Sequence, residues 1–319
     1  MTNFQVYRKT LSFSLMNFLV SILSLVIALG VITACFFIFD KAANLALVGL
    51  LVGFILGIII AALINVFVNN RIKAAQIAMM TRGVTENALP DHTFKEGFAE
   101  IKGRFAKITV FFFITNSIKG IFKQIGRGIN RIGTAVGGQA GNTLTSAIDS
   151  AVQTLIGYLC DCCMGWVLFR KDENSFKAGC EGAVIFFKHG KTLIRNIGRI
   201  FGMGILSFIL IGGAFTALFY LVFNLLPQMF NTLASEIGGM NGGDIPEFLT
   251  DPKMLMLAIA VAGGIILWAI VHSVLIRPFI LVGVLRNFMT AGQEDMPKEE
   301  DFQTLSNKSP RFAKLYNKA

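Results

Sequence analysis

Lys119, Lys123, Arg127 and Arg131 fall at every fourth position of "IKGIFKQIGRGINRIG", residues 118–133, with no acid among them. Each four-residue step turns a helix by about 400°, so the cations share one broad face that drifts about 40° per step. Ile118, Ile121, Phe122, Ile125, Ile129 and Ile132 fill the opposite side. Along a pore this face would favour anions. At an interface it would sit among lipid headgroups with the isoleucines buried, and a third setting is a helix that meets another protein.

Ionisable groups inside apolar runs form a second set. His272 stands in "WAIVHSVLIRPF", five residues before Arg277, and Asp149 and Asp161 lie in Leu144–Phe169. Asn65 and Asn224 are polar helpers in neighbouring runs. Charge inside a bilayer is costly, so such residues are candidates to line a solute path. A proton- or cation-linked transporter could pair His272 with Asp149 or Asp161, since burial and near neighbours shift their protonation. The structural alternative places Asp149 at the outer interface, pairs Asp161 with an inner Lys or Arg, and gives His272 a backbone carbonyl. Pro278 should kink or end its helix.

Gly49, Gly53 and Gly57 recur at four-residue spacing in "VGLLVGFILGIII". Glycines on one face let a second backbone approach closely, within the chain or between two copies. Cys160, Cys162 and Cys163 in "CDCCMGW" lack the paired spacing of a zinc site, with Cys180 and His189 farther on. They read as buried thiols, with juxtamembrane acylation open in a eukaryotic host. No phosphate-binding loop, HExxH, GxSxG or kinase set occurs, so neither an enzyme nor a cofactor is expected.

The elements that must position these residues follow from composition. Hydrophobic residues make up 54% of the 319 and charged residues 15%, with mean hydropathy +0.64, values of a polytopic membrane protein. The net charge of +10 then signals cytoplasmic loops rather than a nucleic-acid partner. A span needs about 20 apolar residues. Leu11–Phe39, Leu45–Val68, Phe201–Leu226 and Met254–Leu281 satisfy this, and Ile108–Ile125 and Leu144–Phe169 do so while carrying charges. Seven basic residues in 69–107, seven in 170–199 and six in 283–319 contrast with Lys253 alone in 227–253. Both termini are therefore expected inside, with 227–253 an extracytoplasmic loop and 283–319 a cytoplasmic tail.

Six spans and four spans both satisfy that parity. "TFKEGF" at Thr93 and "SFKAGC" at Ser175 share Phe-Lys-x-Gly, each between apolar runs. A repeated unit of span, basic helix and span favours six. The glycine-rich "GQAGNTLTS" and "GGMNGGDIP" read as loops.

"NSFKAGCEGAVIFFKHGKTLIRNIGRI", with Leu193-Ile194-Arg195-Asn196, resembles a segment of choline transporter-like membrane proteins, where a basic cytoplasmic helix precedes a late span. The last span running into a short tail is similar too. The resemblance implies a multi-pass transporter. It covers two patches of the C-terminal half, and the chain lacks that family's large extracellular loop, so neither choline nor any binding residue is carried over.

The expectation is an all-α transmembrane bundle of about six spans in the cell membrane, as one integral membrane domain. Basic amphipathic helices in 69–107 and 170–200 would touch anionic lipid. Passage of a small solute is the leading function, and a non-transporting, lipid-organising scaffold the alternative. A second copy of the chain is a candidate partner.

Overall fold

The computed structural model describes residues 1–43, 46–104, 116–121, 124, 141–194, 197–239 and 246–318. Among these the secondary structure is helical throughout, with no strand. The chain divides into two compact units, Met1–Gly198 with Pro278–Ala319, and Arg199–Arg277.

In the first unit, Thr2 caps α1 (Asn3–Lys9): its hydroxyl accepts the Gln5 N–H while the Gln5 side chain accepts the Thr2 N–H. Helix α2 (Leu11–Ala43) and α3 (Ala46–Ile64) are apolar all round and lie against each other. Their outward side chains, Leu19, Leu51 and Ile55 among them, are exposed, as expected of surfaces that face lipid. The helical run Val48–Thr85 is 38 residues, about 57 Å at 1.5 Å per residue and nearly twice a hydrocarbon core. A π-helical turn at Asn65–Asn69 divides it. Beyond that turn α4 (Asn70–Thr85) is buried along most of its length, including Ile72, Ala75, Ile77, Met79, Met80 and Val84.

Helix α5 (Thr93–Arg104) packs on α4. Its Gly97 permits that contact, because a Cβ there would stand 2.7 Å from Phe13 Cζ and 3.0 Å from the Ala75 carbonyl oxygen. Of the run 108–125, residues 108–115, 122–123 and 125 lie outside the described residues; 116–121 form α6. Helices α7 (Gly141–Phe169) and α8 (Ser175–Ile194) then form a second antiparallel pair. The shared Phe-Lys-x-Gly motif thus opens α5 and α8 alike, each after a longer helix.

Four helices among the described residues are long and apolar enough to cross a membrane: Leu11–Lys41, Val48–Thr85, Gly202–Phe223 and Pro252–Glu294. This corrects the expectation of six. Leu144–Phe169 is helical, but Leu159, Cys160, Cys162, Cys163, Trp166, Val167 and Leu168 are buried within the protein. An apolar run serves a protein core as readily as a bilayer, and here α4 and α8 cover it. Residues 141–146 of "GQAGNTLTS", expected as loop, begin α7, while 138–140 lie outside the described residues.

The second unit contains α9 (Ile197–Ser207) from Arg199 onward, a π-turn at Phe208–Gly212, α10 (Gly213–Phe223), α11 (Pro227–Gly239), α12 (Glu247–Thr250) and α13 (Pro252–Val271). The expected loop 227–253 is thus partly helical; its residues 240–245 lie outside the described residues. Phe230 and Ala234 of α11 pack on Leu255 and Met256 of α13. Asp251 caps α13, its carboxylate accepting the N–H groups of Lys253 and Met254.

A π-turn at His272–Ile276 leads into α14 (Arg277–Glu294), whose residues from Pro278 onward belong to the first unit. The helix therefore continues past Pro278 instead of ending there. The adjoining π-turn redirects the backbone bonding where proline offers no N–H. In the first unit α4, α7 and α14 converge at Gly165, where a Cβ would meet Thr81 Oγ1 at 2.7 Å and Leu285 Cδ1 at 2.8 Å. The tail 283–319 completes the unit: after α14 come α15 (Glu299–Lys308) and α16 (Pro310–Tyr316). Phe302, Leu305, Phe312 and Leu315 join Ile121 of α6 and Cys180, Ala183 and Val184 of α8 in one apolar cluster.

Candidate functional site

Helices α7 and α8 carry the buried acids of the first unit among the described residues, Asp161 and Glu181. Asp161, almost fully buried on α7, pairs with Lys73 of α4 at 2.7 Å. Burial pushes the thiols of Cys162 and Cys163 well above their usual range, with neighbouring charges adding to it. Burial, then the Glu181 carboxylate, pushes Cys180 up to about 12. These thiols stay protonated at neutral pH and pack as small apolar groups.

Glu181, 4% exposed on α8, collects donors from the C-terminal end of α7 and the residue after it. Trp166 Nε1 donates to its carboxylate at 2.9 Å and Arg170 Nε at 3.1 Å. Arg170 also reaches Glu173, which in turn pairs with Lys177. Trp166 fits because Gly292 of α14 faces it: a Cβ there would stand 2.5 Å from Trp166 Cζ3.

Lys188, near the C-terminal end of α8, ties the tail down by donating to Asp295 at 2.9 Å and to Asp301 at 3.0 Å. His189 Nε2 lies 3.3 Å from the Asp295 carboxylate. The Lys188 hydrogen bond holds the Asp295 carboxyl below its ordinary range. At Asp301 desolvation acts upward, but the Lys298 N–H and the Lys188 ammonium outweigh it and hold the carboxyl down. Desolvation likewise opposes the charge on Lys188, and the two carboxylates more than reverse it. Depressed carboxyl groups stabilise the fold above their unfolded values, about pH 4, and that stabilisation fades as pH falls through their folded values. A raised lysine stabilises below its unfolded value, about 10.4, and ceases to do so as pH rises through its folded value. Protection of the α15 amides, measured as exchange relative to the intrinsic rate at each pH, should therefore be high near neutrality and fall below about pH 4. In Lys188→Met, exchange should already be fast at pH 7; wild-type protection in that variant would remove the latch.

The remaining sequence candidates fall in different places. In the second unit His272 opens a π-turn at the end of the exposed length of α13, with its ring 5.3 Å from that of Trp268. Trp268 Nε1 donates to Ser207 Oγ at 3.2 Å, and Phe208 packs edge-on to the indole at 5.0 Å. Asn224 ends α10, its amide donating to the Tyr220 carbonyl. Asn65, in the first unit, opens the π-turn before α4 and is exposed. Asp149 lies on α7, and its side chain lies outside the described residues. Asp161 and Asp149 belong to one unit and His272 to the other. Of the basic stripe, Lys119 is exposed on α6, while Lys123, Arg127 and Arg131 lie outside the described residues.

The Lys73 pair agrees with the sequence alternative that gave Asp161 a Lys or Arg, whereas Glu181 and Lys188 were missed as partners. The available signal was Trp166 and Arg170 at four-residue spacing, two donors on one helix face that require an acceptor once buried. No family model, curated protein or solved structure matches the chain, so nothing there bears on the choline transporter-like resemblance.

Proposed function

We propose that the chain is a membrane-anchored helical scaffold, with four spans and both termini in the cytoplasm. Its working part is the packed body built from α4, α5, the second half of α7, α8 and α14–α16. The Lys73–Asp161 pair carries this reading: of the two acids on α7 that a transport path could use, Asp161 is engaged in a salt bridge within the first unit. Positive-inside counting supports the orientation, because four spans leave 69–199 and the tail on the basic side. Solute passage near His272 is the second reading. It is favoured by the π-turn that His272 opens, since such turns recur at functional sites.

Impermeant thiol labelling of intact cells tests the architecture, with single cysteines on a cysteine-free background. Asn231→Cys should label, and Asp91→Cys, Asn142→Cys and Asp172→Cys should not. Labelling at Asn142 without labelling at Asp172 would carry α7 across the bilayer and remove the scaffold reading. Proteoliposomes of the full chain should hold proton and potassium gradients as long as empty vesicles do. Faster decay that His272→Ala abolishes would favour the conduit.

A further inference from the structure

Helix α16 has two faces set by its sequence. Ser309 caps it, its hydroxyl accepting the Phe312 N–H, and Pro310 takes the first helical position. Phe312 and Leu315, three residues apart, enter the apolar cluster with α8 and α15. Arg311 and Lys314, offset by one residue or about 100°, share the adjoining, exposed face.

Helix α6 docks on that cluster through Ile121, and Ser309 Oγ donates to Gln124 Oε1 at 3.0 Å. This docking sets Asn116, Ser117 and Gly120 beside Arg311 and Lys314 around a pocket of about 750 Å³. Gly120 leaves room for the guanidinium: a Cβ there would stand 2.7 Å from Arg311 Nη1, and the flexible end of the side chain would have to move away from α6.

The pocket is electrostatically one-sided. No carboxylate lines it among the described residues, and neither Arg311 nor Lys314 makes an ion pair among them. Six other cations of this unit, Lys73, Arg82, Arg170, Lys171, Lys177 and Lys188, each face an acid. A planar guanidinium presents paired donors to phosphate oxygens, an ammonium adds a point charge, and a hydroxyl and an amide add neutral donors. The volume lies within the range of small-ligand sites, so a phosphate would leave room for the group attached to it.

We infer that this pocket binds the phosphate group of an anionic ligand, either a phosphomonoester lipid headgroup or a soluble phosphate. Arg311 grips the oxygens, Lys314 neutralises the charge, and Ser117 and Asn116 complete the shell. The site goes beyond the scaffold reading and stands whether or not the chain conducts a solute.

Calorimetric titration of the full chain in a neutral detergent is the test, with short-chain phosphatidic acid and inorganic phosphate as separate probes. Phosphatidic acid should bind, with affinity falling about tenfold or more in R311A/K314A. Raising salt from about 50 to about 500 mM should weaken it, as for any partly exposed ionic contact. Gly120→Val keeps both cations but displaces the guanidinium, and it should weaken binding as well. Lys102→Ala, an exposed charge on α5, should bind as wild type does. Binding of both probes would identify phosphate itself as sufficient, and binding of phosphatidic acid alone would identify the headgroup. Equal binding by wild type and R311A/K314A, or binding of neither probe, would overturn the site.

Discussion

Replacing Glu181 with leucine is expected to destabilise the protein by about 2–3 kcal/mol, read from thermal or denaturant unfolding in one fixed detergent. The side chain is 4% exposed, and its donors are Trp166 of α7 and Arg170 just beyond that helix. Trp166 is fully buried, so its indole N–H has no water to turn to when the carboxylate goes. An unpaired buried donor costs about 1–3 kcal/mol. Arg170 adds to that loss, though its side chain is 29% exposed and recovers part of it from solvent. Leucine fills similar volume, so the deficit measures lost polar partners rather than a cavity. Glu181→Gln keeps an acceptor while dropping the charge, and it should fall between leucine and wild type. Trp166→Phe removes the indole donor, so in that background Glu181→Leu should cost less than alone. If Glu181→Leu unfolds like wild type within about 0.5 kcal/mol, the α7–α8 contact is held by apolar packing alone.

The four spans were legible because a bilayer imposes a length that few other settings require. Leu11–Phe39, Leu45–Val68, Phe201–Leu226 and Met254–Leu281 are all recovered to within a few residues at most ends. What lies beyond them was harder to read. Arg71 and Lys73 mark the edge of the apolar run and suggest a loop, yet the helix continues through α4. Its burial depends on small residues, Ala74, Ala75, Ala78 and Gly83, which admit neighbouring helices without raising hydropathy. Leu144–Phe169 failed in the opposite direction, since hydropathy does not distinguish a lipid neighbour from a protein one.

The candidate residues divide on the same physical ground. Asp161 stood out as a charge in an apolar run, but Lys73 is remote in sequence, and only α4–α7 packing joins them. The four-residue basic stripe drew attention to anion chemistry around α6. The cations that line a pocket there are Arg311, Lys314 and Lys318, from a tail whose apolar and basic faces differ by one residue of phase. Ser309 and Pro310, which start that helix, are a start signal that the reading of 283–319 as a tail passed over. Only the docking of α6 on Phe312 and Leu315 could have joined the two.

Gly49→Val and Gly53→Val are expected to lower the melting temperature of the detergent-solubilised chain sharply, and Gly57→Ala only slightly. All three glycines face α2, but at different depths. A Cβ at Gly49 would stand 2.6 Å from the Cys35 carbonyl oxygen and 2.7 Å from Phe39 Cβ. At Gly53 it would stand 2.8 Å from Ile32 Cα. No rotamer change relieves a collision with backbone, so the helices must separate and lose van der Waals contact along their length. Overpacking of this kind costs about 1–3 kcal/mol per site. Gly57 is looser, with the Ala28 carbonyl oxygen at 3.2 Å and Ile32 Cγ1 at 3.5 Å, so a methyl needs only a small shift. The gradient also separates the two contacts that the glycine spacing allowed. A stripe occupied by α2 of the same chain makes the loss independent of protein concentration, because folding within one chain has no molecularity. A stripe joining two copies would make the valine variants monomeric, with a melting temperature that no longer varies on dilution while the wild type's does. Equal losses at Gly49, Gly53 and Gly57 would contradict the α2–α3 geometry, since nothing in that interface treats the three positions alike.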